Sequence, residues 1–257
     1  MELKEKISGL IITFNEEKNI QEILDDFSMC DEIIVVDSFS SDQTVAIAKR
    51  NPKVKIIQHK FEDFTKQRNI ALDAAANDWV LFLDGDERIT PELQREIISE
   101  LSKSDKKDAY YFYRKFYFAG KPVNFSGTQT DKNFRLFRKS KCRYIAEKKV
   151  HETLNVNGTV GIFNNKLQHF SVSDYESYKG KMIHYGKLKG QELFEKGKQF
   201  SLLTQYLKSA FKFFKTYVLR LGFLDGKEGY QLSALQTLSV FETYKSLKNE
   251  QVKSKCV

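Results

Sequence analysis

Short apolar runs alternate with segments of helical periodicity over the first hundred residues. Four such runs are present: ISGLIITF (7–14), DEIIVVDSFS (31–40), VKIIQHK (54–60) and WVLFLD (79–84). Helical segments lie between them, and the first carries an apolar stripe of Ile20, Ile23, Leu24 and Phe27. Strands that alternate with helices predict a mixed, mainly parallel sheet flanked by helices, an α/β fold of the Rossmann-like type.

The pattern changes after residue 105. AYYFYRKFYFAG (109–120) and NFRLFRK (133–139) predict aromatic-rich strands, and HETLNVNGTVGIFNNKLQHF (151–170) predicts shorter ones. From about residue 175 onward the periodicity is helical. We therefore predict three parts, which are a front α/β half over 1–105, a second half over 106–175 and a helical extension over 176–257.

Charge and cysteine content limit the possible functions. The chain of 257 residues has a formal net charge of +8. The positive charge is concentrated between Lys179 and Arg220, which favours anionic partners such as nucleotides, nucleic acid or anionic lipid. The three cysteines are widely spaced with no CxxC pair, which argues against a disulfide framework or zinc site and fits a reducing cytoplasm. The N-terminal apolar run is too short for a membrane span, so we expect a cytoplasmic protein.

Carboxylates cluster directly after the fourth apolar run. Asp84 and Asp86 flank Gly85, and Glu87 follows. Because ligands of parallel sheets bind beyond the carboxyl ends of the strands, we expect these acids to face one crevice with the polar ends of the other strands. Oxygen ligands at this density suit Mg²⁺ or Mn²⁺ held jointly with substrate phosphates. The alternative is a solvated acidic turn before the helix that begins near Pro91.

Two further side chains point to the same crevice. Asp37 ends the second strand, where it could accept the N–H of a base such as uracil or bind a ribose. Alternatively, it forms an Asx turn before a helix that Ser40-Ser-Asp-Gln43 would open with a capping box. Arg68 lies near the start of the third helix, where an arginine and backbone N–H groups favour a phosphate. The alternative for Arg68 is a surface pair with Asp63.

Motifs of several other classes are missing from the sequence. No G-x-G-x-x-G motif follows a strand, and there is no G-x-x-x-x-G-K-[ST] motif, which argues against a dinucleotide-binding oxidoreductase and a P-loop protein. An aspartyl phosphatase of the haloacid dehalogenase kind would resemble D-x-D-x-[TV], but the fifth position here is Arg88. Its strand would also usually come first in the chain, whereas this one is the fourth.

Four segments in order resemble the nucleotide-sugar-binding half of inverting family-2 glycosyltransferases, which have the GT-A fold. They are LIITFNEEKNI (10–20), EIIVVDSFSSDQTVAIAK (32–49), FTKQRNIAL (64–72) and DWVLFLDGDERI (78–89). Further segments resemble one branch, the lipopolysaccharide-core β-glucosyltransferases and their relatives: FRLFRK (134–139), KVHETLNVNG (149–158), LQHFSV (167–172) and YVLRLGFLDGKEGY (217–230). The resemblance implies that 1–105 binds the nucleotide-sugar, that 106–175 is the acceptor-side half of the GT-A domain, and that 176–257 is an extension.

The resemblance also implies roles for matching positions. It arranges these residues around the donor: Thr13, Asn15 and Glu16 along the nucleotide, Asp37 at the base, Arg68 by the phosphates and Asp84 near the ribose or the metal. Asp86 would coordinate the metal directly. One departure is Asp37-Ser38, where many relatives show two acids in a row, so base recognition would rest on Asp37 alone.

Inverting transfer needs a general base that takes the proton of the acceptor hydroxyl as its oxygen attacks the anomeric carbon. KKVHETL (148–154) offers His151 and Glu152, which alternation along a strand would send to opposite faces. We predict Glu152 as the base. The alternatives are Asp131, or a structural pair between Glu152 and a lysine. His169 would join the metal shell, as a late histidine does in some GT-A enzymes, unless it is a core histidine.

The stretch 202–221 predicts a basic amphipathic helix. Its apolar positions at helical spacing are Leu203, Tyr206, Leu207, Ala210, Phe214 and Tyr217. Lys208, Lys212 and Lys215 share another face. Such a helix can lie on an anionic membrane surface, here the inner face of the cytoplasmic membrane, or it can be an ordinary surface helix docked on the catalytic domain. No motif supports nucleic acid as a partner.

Together these features predict a metal-dependent inverting glycosyltransferase. It would move a hexose from a nucleotide-sugar to a glycan or glycolipid acceptor such as lipopolysaccharide core. The resemblance favours glucose as the hexose and a UDP-sugar as the donor. The alternative is a catalytically silent nucleotide-sugar-binding or membrane scaffold protein, and the sequence does not indicate an oligomeric state.

Overall fold

The computed structural model describes residues 5–145, 153–172 and 174–255. The strands are β1 (Ile7–Thr13), β2 (Glu32–Asp37), β3 (Val54–Gln58), β4 (Trp79–Phe82), β5 (Glu87–Arg88), β6 (Ala109–Phe118), β7 (Lys121–Val123), β8 (Lys132–Arg138), β9 (Cys142–Ile145), β10 (Thr153–Val156), β11 (Val160–Ile162) and β12 (Leu167–Val172). The α-helices are α1 (Ile20–Asp26), α2 (Thr44–Ala48), α3 (Phe64–Ala74), α4 (Pro91–Leu101), α5 (Tyr175–Glu195), α6 (Leu202–Phe213) and α7 (Gly226–Lys255). A π-helix (Phe214–Leu219) continues α6, and a 3₁₀ turn (Gly222–Asp225) precedes α7.

The chain forms two compact units. Unit 1 comprises Met1–Arg114 and Lys132–His169, and unit 2 comprises Lys115–Asp131 and Phe170–Val257. Strands β6 and β12 therefore contribute residues to both units. The predicted division into 1–105, 106–175 and 176–257 is one of function and stays a prediction.

The sheet of unit 1 begins with four parallel strands in the order β3–β2–β1–β4. Strand β8 then pairs antiparallel with β4 on one side and with β6 on the other. The four parallel strands include continuous apolar stretches, as expected of strands that are covered on both faces. This mixed, mainly parallel sheet confirms the predicted α/β architecture.

Helices cover both faces of this sheet. On one face, Ile7 and Ile11 of β1 share a buried cluster with residues of α1 and α4. On the other face, Leu10 shares a second cluster with Ala71 and Leu72 of α3. Alternate residues of β1 therefore anchor opposite helical layers, which fixes the register of the central strand.

Side-chain caps begin two of the helices that flank the sheet. Asp63 accepts a hydrogen bond from the backbone N–H of Lys66 at 2.8 Å at the start of α3, and Thr90 caps α4 in the same way. The capping box expected at Ser40 is wrong, because the Ser40 hydroxyl donates to Asp37 instead. Near the start of α2, Asp42 Oδ1 accepts from the backbone N–H of Thr44 at 3.0 Å.

Unit 2 is built around the long helices α5 and α7. Together with α6 they form the C-terminal helical extension that the sequence predicts. Two glycines of α5 allow the helices to approach closely. A Cβ at Gly186 would lie 2.6 Å from the carbonyl oxygen of Ser239, and one at Gly190 would lie 2.5 Å from that of Thr243. A separate apolar cluster fills the unit, formed by Phe116, Phe118, Val123, Val172, Leu232 and Leu235.

Candidate functional site

Polar residues at the carboxyl ends of β1 and β2 are tied together by hydrogen bonds. The two strands stay in register to their ends, where Thr13 lies opposite Asp37, and the Thr13 hydroxyl donates to Asp37 Oδ1 at 3.3 Å. Asn15, just beyond β1, has a left-handed backbone with φ 56°. Its side-chain oxygen accepts from the backbone N–H of Ser41 at 2.9 Å. The two strand-end loops therefore form one cross-linked rim.

Asp37 is fully buried and forms the Asx turn considered as an alternative. Its Oδ2 accepts from the backbone N–H of Ser40 at 3.0 Å, and its Oδ1 accepts from the Ser40 hydroxyl. With the Thr13 hydroxyl at 3.3 Å and the Gln58 side-chain amide at 3.5 Å, the Asp37 carboxylate accepts four hydrogen bonds, as many as its about four lone-pair sites, so a base would have to displace one of these donors. The base-binding role of Asp37 stays a prediction.

Glu16 connects this rim to the D-x-D turn after β4. A Cβ at Gly85 would lie 2.9 Å from the Glu16 Cδ atom, so the two loops touch at the glycine. The Glu16 carboxylate also accepts from the side-chain amide of Asn19 at 2.7 Å. Gly85, without a side chain, therefore leaves space for the Glu16 carboxylate.

Asp84 lies between two buried arginines. Arg68 Nη2 donates to Asp84 Oδ1 at 2.7 Å, and Arg135 Nη2 donates to Asp84 Oδ2. Burial would raise the pKa of Asp84, but the charges of Arg135 and Arg68 outweigh it and hold that pKa well below its usual range. Asp84 is therefore ionised, and both of its oxygens are engaged by arginines.

Glu87 extends this network into the protein interior. Its side chain has no exposed surface, and Arg135 contacts both of its oxygens at 2.7 Å. Arg114 Nη1 lies 3.3 Å from Glu87 Oε1. Three arginines thus surround Asp84 and Glu87, and the neighbouring Asp86 carboxylate balances their remaining positive charge.

Arg68 is held in place from several sides. Its side chain is 6% exposed, and its guanidinium carbon lies 4.7 Å from the ring centre of Phe82 and 5.4 Å from that of Tyr144. The alternative of a surface pair with Asp63 is wrong, because Asp63 instead caps α3 and Arg68 pairs with Asp84.

Asp86 lies next to His169. Strand β5 pairs antiparallel with β12, with Glu87 opposite His169, and this pairing brings His169 Nε2 within 3.3 Å of Asp86 Oδ2. Burial would raise the pKa of Asp86, but the hydrogen bond and charge of His169 outweigh it and lower that pKa. The structure thus brings two of the three predicted metal ligands together, with Asp84 two residues away along the turn.

A metal at this position would need ligands from outside this pair. In the part of the chain that the structure describes, His, Cys, Asp and Glu side chains nowhere form a group of three or more suited to a metal ion. The chemistry of Asp86 and His169 still fits a divalent cation, since carboxylate oxygen and imidazole nitrogen are both common ligands.

The predicted base lies outside the described residues, as does its neighbour His151. Glu152 therefore stays a prediction. The alternative base, Asp131, belongs to unit 2 and is half-buried. It directly follows the short 3₁₀ turn Thr128–Thr130 as its C-cap.

Sequence reasoning missed three residues of the site, which are Arg114, Arg135 and Tyr144. Arg135 lies between Phe134 and Leu136 in a strand that packs in the sheet centre. A charged residue at such a position is almost never fully buried unless it is paired. That rule could have identified Arg135, although not its partners.

This arrangement is that of the GT-A fold: a D-x-D turn follows a parallel strand of a mainly parallel α/β sheet, and buried arginines from other elements bind Asp84 of that turn. The chain belongs to glycosyl transferase family 2, because the model of that family matches residues 8–162. The predicted resemblance is confirmed.

Individual relatives agree with this family. An uncharacterized glycosyltransferase of Rickettsia conorii is 29% identical over 99% of this chain and 94% of its own length. The lipopolysaccharide core biosynthesis glycosyltransferase LpsC of Rhizobium meliloti is 29% identical over 75% of this chain and 73% of its own. A crystal structure of S. aureus TarS 1–349 in complex with UDP has a TM-score of 0.49 and 16% identity, over 96% of this chain and 92% of that one. That likeness is too slight to bear on the donor of this protein.

Proposed function

We propose that this glycosyltransferase is metal-dependent and inverting, and that it takes a hexose from a UDP-sugar. The observation that best supports a metal is the Asp86–His169 pair, 3.3 Å apart and directly beside the buried arginine network. Mn²⁺ accepts both oxygen and imidazole ligands, whereas Mg²⁺ would rely on the carboxylate. Two protein ligands leave coordination positions for oxygens of a diphosphate. When bound, the cation would neutralise charge on the departing diphosphate.

The two acids of the D-x-D turn have different tasks in this proposal. Asp86 holds the cation together with His169. Asp84, although also a predicted ligand, has both oxygens on Arg68 and Arg135, so its main task is to fix the guanidinium of Arg68 toward the phosphates. An arginine that is already oriented loses less side-chain entropy when it binds a phosphate.

The rim formed by β1 and β2 would hold the nucleotide. We assign Thr13, Asn15 and Glu16 to its border and Asp37 to the base. The hydrogen bonds between the two loops support this assignment, because a preformed rim costs little ordering when a ligand binds. Asn15 and Phe39 both have left-handed backbones here, and such strain is often found at binding sites.

We assign the role of general base to Glu152 and favour a glycan or glycolipid acceptor such as lipopolysaccharide core. The name of the Rhizobium meliloti relative supports that class of acceptor. Glucose is the first hexose to test, as the resemblance favours it. A lipid-linked acceptor would place the enzyme at the inner face of the cytoplasmic membrane.

Turnover of a donor panel tests the proposal. UDP-, GDP- and ADP-glucose would be incubated with Mn²⁺, and hydrolysis or transfer would be followed for the wild type, Asp86→Ala and a control, Asp105→Asn, in an exposed loop. We expect UDP-glucose to be preferred and Asp86→Ala to lose more than about a hundredfold in rate. Equal turnover of the wild type and Asp86→Ala would refute the metal assignment.

A second pair of variants tests which residue is the general base, and turnover by the wild type tests whether the protein is an enzyme. Glu152→Gln should abolish transfer and leave UDP binding intact, while Asp131→Asn should transfer normally. Full activity of Glu152→Gln with loss in Asp131→Asn would move the role to Asp131. Donor binding by the wild type without turnover on any acceptor would favour the catalytically silent alternative.

A further inference from the structure

Helix α6 and the π-helix after it expose their apolar side chains. Six large residues follow one another at helical spacing along this segment, and each keeps between 42% and 69% of its surface exposed: Leu203, Tyr206, Leu207, Phe211, Phe214 and Val218. We call this set the apolar face. Its three aromatic rings alone expose roughly 300 Å², an area that on a monomer usually marks an interaction site.

The opposite side of the same segment, which packs against the protein, is polar. Gln205, Ser209 and Thr216 are all at least nine-tenths buried. The Gln205 amide donates to the carbonyl oxygen of Phe241 on α7 at 3.0 Å. Thr216 donates to the carbonyl oxygen of Lys212 at 2.9 Å. An ordinary surface helix buries its apolar side, whereas α6 docks on α7 mainly through polar side chains, with the Tyr206 ring centre 6.0 Å from that of Phe241.

The exposed apolar surface continues from the last residue of the π-helix, Leu219, through the turn that follows. Leu219, Leu221, Phe223 and Leu224 are each between 41% and 58% exposed. The turn is held by Asp225, whose carboxylate accepts from the backbone N–H groups of Asn124 and Phe125. These four side chains are therefore presented by a fixed backbone.

The charges around the apolar face identify the kind of partner. Residues 196–224 include six basic residues and no aspartate or glutamate. Lys208 and Lys215 are exposed, and Lys212 is half-buried. A second copy docked face to face would bring these like charges together, which is unfavourable. An anionic bilayer offers both an acyl layer for the apolar side chains and phosphate headgroups for the lysines.

We infer that the apolar face docks in the headgroup region of an anionic membrane, with the segment lying along the membrane surface. Among the described residues, no helix is long and apolar enough to cross a bilayer. The inference concerns residues of unit 2 and does not depend on the donor chemistry proposed for unit 1.

Vesicle flotation of the full chain tests the inference. The vesicles would be phosphatidylcholine alone, or phosphatidylcholine with about a third phosphatidylglycerol. We expect the wild type to float with the anionic vesicles and to be released by salt. Leu207→Asp and Phe211→Asp should each weaken binding about tenfold. The Lys208→Gln and Lys215→Gln double variant, which changes the two exposed lysines, should weaken binding to anionic vesicles about fivefold per lysine.

A matched control and a second measurement make the outcomes distinct. Ile162→Asp changes a similarly exposed apolar residue of unit 1, 44% exposed, and should float like the wild type. Circular dichroism would show whether each variant is folded. UDP affinity would show separately whether its donor site is intact. Absence of flotation by folded wild type would overturn the inference. So would a dimer in analytical ultracentrifugation that Phe211→Asp dissociates while vesicle binding is unchanged.

Discussion

Replacing Arg135 by glutamine should destabilise unit 1 far more than the same change at a nearby arginine. The Arg135 side chain is 3% exposed and contacts Asp84 and the fully buried Glu87. Removing one partner of a buried ion pair usually costs about 3–5 kcal/mol. Here each acid keeps one arginine, since Arg68 still pairs with Asp84 and Arg114 with Glu87. We therefore expect the lower end of that range, about 3 kcal/mol.

Arg138→Gln is the matched control, because Arg138 lies on the same strand, three residues away. It pairs with Asp78 at 3.2 Å, but the two side chains are 29% and 38% exposed. Exposed pairs contribute about 0–1 kcal/mol. The guanidinium of Arg138 also lies 4.7 Å from the ring centre of Trp79, which adds a small contribution. We expect a total loss of about 1 kcal/mol.

Urea unfolding followed by tryptophan fluorescence measures the difference. Trp79 is the single tryptophan of the chain and is buried in unit 1, so its emission reports on this unit. With a urea dependence of about 2 kcal/mol per molar, Arg135→Gln should lower the midpoint by about 1.5 M. Equal midpoints for Arg135→Gln and Arg138→Gln would refute the view that the buried network stabilises the site.

Two further predictions concern a half-buried carboxylate at the end of α1 and the glycine of the D-x-D turn. Burial raises the pKa of Asp26 to about 6, despite its hydrogen bond from Ile89 N–H, so the folded state binds a proton that the unfolded chain loses near pH 4. The free energy of unfolding therefore falls as Asp26 ionises between about pH 4 and pH 6. Asp26→Asn should raise the free energy of unfolding in urea by about 2 kcal/mol at pH 8 but change it little at pH 4. An equal increase at both pH values would contradict this. Gly85→Ala should displace the Glu16 carboxylate and weaken UDP binding about tenfold in calorimetry, with under about 1 kcal/mol lost in stability. Unchanged UDP affinity would show that Glu16 does not border the nucleotide.

The parallel strands and their polar ends could be predicted from sequence because each depends on local pattern. Continuous apolar runs identify strands buried on both faces, and the residues that follow them must lie at one edge of the sheet. Asp84 and Asp86 were located in this way.

Interactions between distant segments could not be predicted in the same way. The partners of Asp84 are Arg68 and Arg135, which are 16 and 51 residues away in the sequence. The local sequence around Asp84 does not specify such pairs. Ser40 illustrates the same limit at short range, because the nearby carboxylate of Asp37 competed with the helix start for its hydroxyl.

The orientation of α6 also lay beyond the sequence pattern. The spacing of Leu203, Leu207 and Phe214 predicts an amphipathic helix, but not which of its sides packs against the protein. That choice depends on the partner, and α7 offers the carbonyl oxygen of Phe241 to the polar side chain of Gln205. The side that stays exposed is the apolar one.

Calorimetric titration of UDP in the presence and absence of Mn²⁺ tests the central claim most directly. The proposal predicts that the wild type binds UDP much more tightly with Mn²⁺ than with a chelator. It also predicts that Asp86→Asn binds weakly and equally in both conditions, because Asp86 links the cation to the protein. Tight binding of UDP by the wild type without any divalent cation, or an undiminished Mn²⁺ effect in Asp86→Asn, would contradict the account.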